Sequence, residues 1–247
     1  MSKENRKMIK IGVSGYKGRM GQEILNVLKR LGNVDIITDG GELDEDKEKL
    51  FKNSDVVIDF TNIDGLCECL KFAQQTKTPF VSGSTPMNGN VMKQILDASR
   101  HTKICWSANM SIGIAIVRKL LSECGKLLGD YDCEIFERHH NKKKDAPSGT
   151  AIMLGKTVAD SRNLNFDDVF IYDRKSERKK HQIGFSSVRG GNIVGEHEVM
   201  FIGENDEIKI THKAYNRSLF AVGAVQCAIK LLQQKKIKFY KVEDLLF

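Results

Sequence analysis

The sequence predicts an α/β protein: a parallel sheet flanked by helices, followed by a second, α+β domain with a mixed sheet. Three observations carry that prediction. Over the first 111 residues, short apolar strands alternate with helical patterns. Three glycines at G-x-x-G-x-x-G spacing join the first strand to the first helix. Between Val169 and Tyr215, runs with strand alternation are separated by Gly190-Gly191 and by Glu204-Asn205-Asp206.

The elements follow in order. Met8–Val13 is short and β-branched, as a buried strand requires. After the loop Ser14–Gly21, the residues Met20, Ile24, Val27, Leu28 and Leu31 recur at helical spacing, and Gly32-Asn33 ends the helix. Val34–Thr38 is the second strand and stops at Asp39-Gly40-Gly41. The alternately acidic and basic stretch from Gly41 to Ser54 reads as one short helix. Then come strand Val56–Phe60, helix Leu66–Ala73, strand Pro79–Val81, helix Val91–Ala98 and strand Lys103–Trp106. Ile112–Leu128 is apolar with helical period. Beyond Asp132–Phe136, a polar loop is expected from Arg138 to Ser148, and then a helix from Gly149 to about Asp160. Ser218–Gln234 is helical, and a short tail follows. Residues 1–111 with 218–247 are expected to form a nucleotide domain, and 112–217 a substrate-binding domain.

Composition narrows the function. Of 247 residues, 39 are Lys or Arg and 32 are Asp or Glu, a net charge of +7. The surplus is spread along the chain, and the 7% of aromatics do not interleave with it, which argues against a nucleic-acid surface. None of the six cysteines forms a C-x-x-C pair, so neither a zinc site nor a disulfide framework is expected, and no metal. The charged N-terminus has no apolar segment behind it, and the longest uncharged runs, Thr78–Met92 and Ile104–Val117, fall short of the about 20 residues a bilayer requires. A cytoplasmic protein without membrane contact is the expectation.

Gly15, Gly18 and Gly21 have a specific use. Glycine accepts the positive φ of a tight strand-to-helix turn, and its missing side chain lets a pyrophosphate approach the backbone at a helix N-terminus. Asp39 closes the second strand, where an adenosine ribose would meet a carboxylate. The sheet domain is therefore Rossmann-like, though a turn of this kind also occurs without a ligand. Asp39 favours NADH by repelling a 2′-phosphate, while Lys17 and Arg19 offset that repulsion, so NADH and NADPH both remain open.

A second constellation lies at residues 137–151. Pro147 cannot continue a helix from behind and Ser148 is a strong N-cap, so the N–H groups of Gly149 and Thr150 would open toward an anion. Lys143 adds a full positive charge. His139 and His140 supply a group that gives or takes a proton near neutral pH. Adjacent histidines point different ways, so at most one of the two would be catalytic.

The string His139-His140-Asn141-Lys142-Lys143-Lys144-Asp145-Ala146-Pro147-Ser148-Gly149-Thr150-Ala151 resembles the signature of the 4-hydroxy-tetrahydrodipicolinate reductase (dihydrodipicolinate reductase) family of the bacterial lysine and diaminopimelate pathway. The similarity extends over nearly the whole chain: Gly15–Gly21, Val57–Thr61, Ser82–Thr85, Ser107–Ser111, Arg189-Gly190-Gly191, Gly195-Glu196-His197, His212 and Arg217 to Ala221. Between Asp39 and Asp55 the chain is shorter than in longer family members, and Pro86 stands where the family usually has Gly.

The resemblance implies hydride transfer from NADH or NADPH to a cyclic imine dicarboxylate, with loss of water. It implies cofactor contacts from Gly15, Tyr16, Lys17, Gly18, Arg19 and Met20, with Asp39 at the ribose. Gly83, Ser84, Thr85, Ser107, Ala108, Asn109 and Met110 would line the nicotinamide end. It implies His139 as proton donor or acceptor, or else as a binding or orienting group, and Lys143 as proton donor and charge partner. His140, Lys143, Ser148, Gly149 and Thr150 would hold the substrate, Ser148 chiefly as the N-cap. A homotetramer built through the second domain's sheet is implied as well. Two other readings use the same glycine loop: another nicotinamide-linked imine or amino-acid dehydrogenase, and a nucleotide-sensing module without catalysis. Neither accounts for the string from His139 to Thr150.

Overall fold

The computed structural model describes residues 8–42, 45–85 and 88–247. Pro86, where the family's glycine would stand, lies outside the described residues. The chain packs as two compact units, one running up to Ile112 and resuming at Arg217–Phe247, the other spanning Gly113–Asn216.

The first unit begins with β1 (Ile9–Ser14), α1 (Arg19–Leu31), β2 (Val34–Ile37), α2 (Lys47–Lys52) and β3 (Val56–Asp59). It continues with α3 (Ile63–Thr76), β4 (Phe80–Ser82), α4 (Gly89–Ala98) and β5 (Ile104–Trp106). The second unit holds α5 (Ile112–Leu127), β6 (Asp132–His139), α6 (Gly149–Ser161), α7 (Phe166–Val169), β7 (Phe170–Tyr172), β8 (Ile183–Arg189), β9 (Gly195–Ile202) and β10 (Glu207–Ala214). The chain then returns to the first unit with α8 (Ser218–Gln233), β11 (Phe239–Tyr240) and α9 (Val242–Leu246).

The first sheet runs β11-β5-β4-β3-β1-β2 with each neighbouring pair parallel, the Rossmann-like arrangement the sequence predicts. Its inner strands are largely apolar because helices cover both faces: Ile11, Val13, Val57, Ile58, Phe80, Val81 and Ile104 are buried. The chain leaves β1 to one side for β2 and returns to the other for β3. The carboxyl ends of β1 and β3, with Ser14 opposite Asp59, therefore flank the switch point where such sheets bind ligands. Asn62 and Asn88 cap α3 and α4 by accepting from Gly65 N and Val91 N, which starts both helices before their first apolar repeat. The tail is more than the sequence suggests. β11 adds a sixth strand beside β5, too short at two residues to show any periodicity.

The second sheet runs β10-β9-β6-β8-β7 and is mixed: β6 is parallel to β8 and antiparallel to β9. Alternation along β6 sends Cys133, Ile135, Glu137 and His139 to the buried face. Cys133 and Ile135 join the core with Leu121, Leu154, Val158 and Phe201. The loop expected from Arg138 starts later than predicted. β6 is paired on both sides, so the ladder carries it through His139, opposite Arg189. Among the described residues, no helix is long and apolar enough to cross a membrane, and no group of three or more His, Cys, Asp or Glu is placed to hold a metal.

Candidate active site

In the first unit, β1 ends at Ser14 and Gly15 turns the chain with φ +72°. A Cβ on Gly21 would lie 2.2 Å from the Gly15 carbonyl oxygen and 2.6 Å from Tyr16 Cα, so only glycine lets α1 start this close beneath the turn. Gly18 caps α1 without any side-chain hydrogen bond. Lys17, Gly18 and Arg19 are exposed, and Tyr16 and Met20 are half-buried. This cradle of bare backbone at the positive end of a 13-residue helix suits a diphosphate. Asp39 is exposed just past β2, and its carboxylate pairs with Lys49 Nζ at 2.6 Å. Lys17 is drawn toward acids instead: its N–H donates to Glu42 Oε1 at 2.8 Å and its Nζ lies 3.9 Å from Glu45.

Past β3, the buried Asp59 organises the loops. Its Oδ2 accepts from Ser82 Oγ at 2.8 Å and Ser84 Oγ at 2.7 Å, and its Oδ1 accepts from Thr61 Oγ1 at 2.6 Å. Burial pushes the Asp59 carboxyl up, against the pull of these hydroxyls. Ser84 and Met110 are buried, Ser84 through its bond to Asp59, whereas Thr85 and Ala108 are exposed. Gly83 lies against the Phe60 ring, where a Cβ would come within 2.3 Å. Ser107 and Asn109 are bonded to each other, the Ser107 hydroxyl donating to Asn109 O at 2.8 Å.

In the second unit, the polar loop leaves β6 and ends on the N-terminus of α6. Ser148 caps that helix: its Oγ accepts from Ala151 N at 3.2 Å. Gly149 is exposed in the first turn, and Thr150 and His140 are half-buried. Lys143 Nζ pairs with Asp145 at 2.8 Å. Burial would raise the Asp145 carboxyl, but Lys143 outweighs it and holds that group below the usual carboxylate range.

His139, the last residue of β6, is nearly buried beside three groups that the sequence reading did not place in the site. Its Nδ1 lies 2.6 Å from Glu137 Oε2. Arg189 grips the same carboxylate with both ends of its guanidinium, at 2.9 and 2.7 Å, and donates to Asp145 O at 2.7 Å. His197 stands edge-on to the His139 ring, with centroids 5.1 Å apart, and meets Ser148 Oγ at 2.9 Å. Burial alone would raise the Glu137 carboxyl. The hydrogen bonds from His139 and Arg189 reverse that and hold it well below the usual carboxylate range. Burial, reinforced by the neighbouring His139, lowers His197 to about 3 and keeps it neutral. Alternation from His139 back to Glu137 was the available signal for the first of these. Arg189 and His197 lie some fifty residues away in sequence, and only strand pairing brings them in.

Comparison with known proteins agrees with the resemblance read from the motifs. Family models for the N-terminus and the C-terminus of dihydrodipicolinate reductase match residues 9–110 and 113–246. The 4-hydroxy-tetrahydrodipicolinate reductase of Wolbachia pipientis subsp. Culex pipiens is 42% identical over 96% of this chain and 99% of its own. The protein of the same name from Campylobacter jejuni subsp. jejuni is 40% identical over 97% and 99%. Among solved structures, the dipicolinate-bound dihydrodipicolinate reductase from Paenisporosarcina sp. TG-14 shares the fold, with a TM-score of 0.78 at 20% identity over 98% of this chain and all of that one. With both family models matched in order and identity above 40% along almost the full length, this chain belongs to the dihydrodipicolinate reductase family.

Proposed function

We propose that this protein is an NADH- or NADPH-dependent reductase that converts 4-hydroxy-tetrahydrodipicolinate to tetrahydrodipicolinate, with loss of water, in lysine and diaminopimelate biosynthesis. The observation that carries this reading is that Glu137 joins His139, at the end of β6, to the Ser148 cap of α6, with Lys143 on the polar loop between them. When bound, the reduced nicotinamide cofactor supplies the hydride. Gly15 to Met20 hold its diphosphate on the bare turn and helix end, Asp39 meets the ribose, and the loops carrying Gly83–Thr85 and Ser107–Met110 receive the nicotinamide. Asp59 keeps the first of those loops in place through Ser82 and Ser84.

The substrate carries two carboxylates. Gly149 and Thr150 offer it the partial positive charge of the α6 N-terminus, with His140 beside them. Reduction of the conjugated imine leaves electron density on the ring nitrogen. The Lys143 ammonium stabilises that charge and donates the proton, and Asp145 steers it. His139 exchanges a proton through Nε2 or orients the substrate. We further propose a homotetramer assembled through the mixed sheet, whose strands expose Tyr172, Val188, Ile202 and Ile208, and a cytoplasmic location.

The decisive experiment supplies freshly made 4-hydroxy-tetrahydrodipicolinate and follows consumption of NADH and of NADPH. Turnover with either supports the proposal. Tight nucleotide binding without turnover would overturn it in favour of another dehydrogenase on this scaffold. Light scattering tests the tetramer, and a monomer in solution refutes it.

A further inference from the structure

We propose that Glu137, clamped by Arg189, is a positioning residue that fixes His139 in the tautomer leaving Nε2 as its proton-exchanging atom. The proposal rests on the reductase reading above and adds a residue to it. Strand alternation places Glu137 and His139 on the same face of β6, and the register of β6 with β8 sets Arg189 opposite His139.

Each oxygen of the Glu137 carboxylate takes two donors. Oε1 accepts from Arg189 Nη2 at 2.7 Å and from Ser148 N at 3.1 Å. Oε2 accepts from Arg189 Nη1 at 2.9 Å and faces His139 Nδ1 at 2.6 Å. An ionised carboxylate only accepts, so His139 Nδ1 must be the donor. Nε2 is then the nitrogen left to accept or deliver a proton. The opposite end of the ring is shaped to match. Gly195 packs against it, and a Cβ there would come to 3.0 Å from Nε2. The neighbouring His197 is neutral and brings no competing charge. Its Nε2 faces the Ser148 hydroxyl, and Lys143 and His212 are the more distant cationic or titratable groups around it.

The same guanidinium reaches the second proton-handling group. Arg189 Nη2 donates to the backbone oxygen of Asp145, whose carboxylate holds Lys143 Nζ. A single side chain from β8 thus holds both His139, through Glu137, and Lys143, through Asp145. Glu137 touches neither substrate nor cofactor in this account and acts through His139.

Two measurements test the proposal. Long-range ¹H–¹⁵N spectra of the unmodified protein, with the His139 signals assigned by their loss in His139→Gln, report the tautomer directly. The expected result is protonated Nδ1 and bare Nε2, and the opposite tautomer overturns the proposal. In Glu137→Gln, a side-chain amide replaces the pure acceptor, so the ring is no longer held in one tautomer. That variant should lose ~10²-fold in kcat, as expected for a misoriented acid/base, with substrate KM changed less than about threefold. The pH profile of kcat should shift, and dipicolinate affinity by calorimetry should stay within about threefold of the parent. Wild-type kcat and an unmoved profile in Glu137→Gln refute the positioning role. Failure of the unmodified protein to turn over the substrate counts against the reductase reading instead, and the tautomer measurement still stands.

Discussion

The Ser148 hydroxyl lies 2.9 Å from Nε2 of His197, so the N-cap of α6 is tied to β9, the neighbour of β6. Ser148 Oγ also accepts from Ala151 N, so one hydroxyl serves both the helix cap and the His197 ring. Burial lowers His197 from 6.5 to about 3 and keeps that ring neutral.

A pH dependence of stability follows. The folded state binds the His197 proton only near pH 3, whereas the unfolded chain binds it below about 6.5. The neutral ring's contribution is therefore complete above pH 6.5 and drains away as the pH falls from there toward 3, at up to ~1.4 kcal/mol per pH unit. Denaturant midpoints taken across that window should decline in the parent, and decline less steeply between pH 6.5 and 4.5 in His197→Gln, where the depressed carboxylates do not yet contribute. Equal slopes in both would contradict the assignment.

Gly21 and Gly89 make a paired test of the nucleotide cradle. In Gly21→Ala the new methyl meets backbone that cannot retreat, and a destabilisation of ~1–3 kcal/mol is expected, with nucleotide binding weakened by about tenfold or more. Gly89, in the first turn of α4, has nothing within 4 Å of an added Cβ, so Gly89→Ala should match the parent. Thermal melts and fluorescence titration with NADH read both effects.

Lys143 should matter to chemistry and not to the cofactor. Lys143→Ala removes the ammonium held 2.8 Å from Asp145, and kcat/KM should fall ~10²–10³-fold, the range for losing one preorganised electrostatic group. NADH affinity should be unchanged. A variant with parental kcat/KM would remove Lys143 from the reaction.

Cofactor choice turns on Asp39. Its pairing with Lys49 at 2.6 Å places a cation beside the carboxylate proposed to meet the ribose. Asp39→Ala frees Lys49 for a 2′-phosphate, and the NADPH to NADH ratio of kcat/KM should rise about tenfold, the usual sense of losing this acid. An unchanged ratio would place discrimination elsewhere.

Much of this protein is legible in neighbouring residues. The glycine triplet, the strand–helix alternation of the first unit, the Ser148 cap and the lysine-bearing loop are all local patterns of spacing, capping and period, and each appears where expected. The exceptions are instructive. Arg138 and His139 belong to a strand because partners on both sides extend it, and β11 exists because β5 offers it an open edge. Sequence alone determined the family, the Rossmann-like sheet and the residues of the loop. Tertiary structure decided which groups surround His139. Glu137 meets Arg189 across 52 residues of chain, and only the register of β6 against β8 and β9 places a guanidinium, a carboxylate and a second imidazole around one ring. Hydrogen-bond ladders set that register collectively over seven or more residue pairs, so no short stretch of sequence contains it.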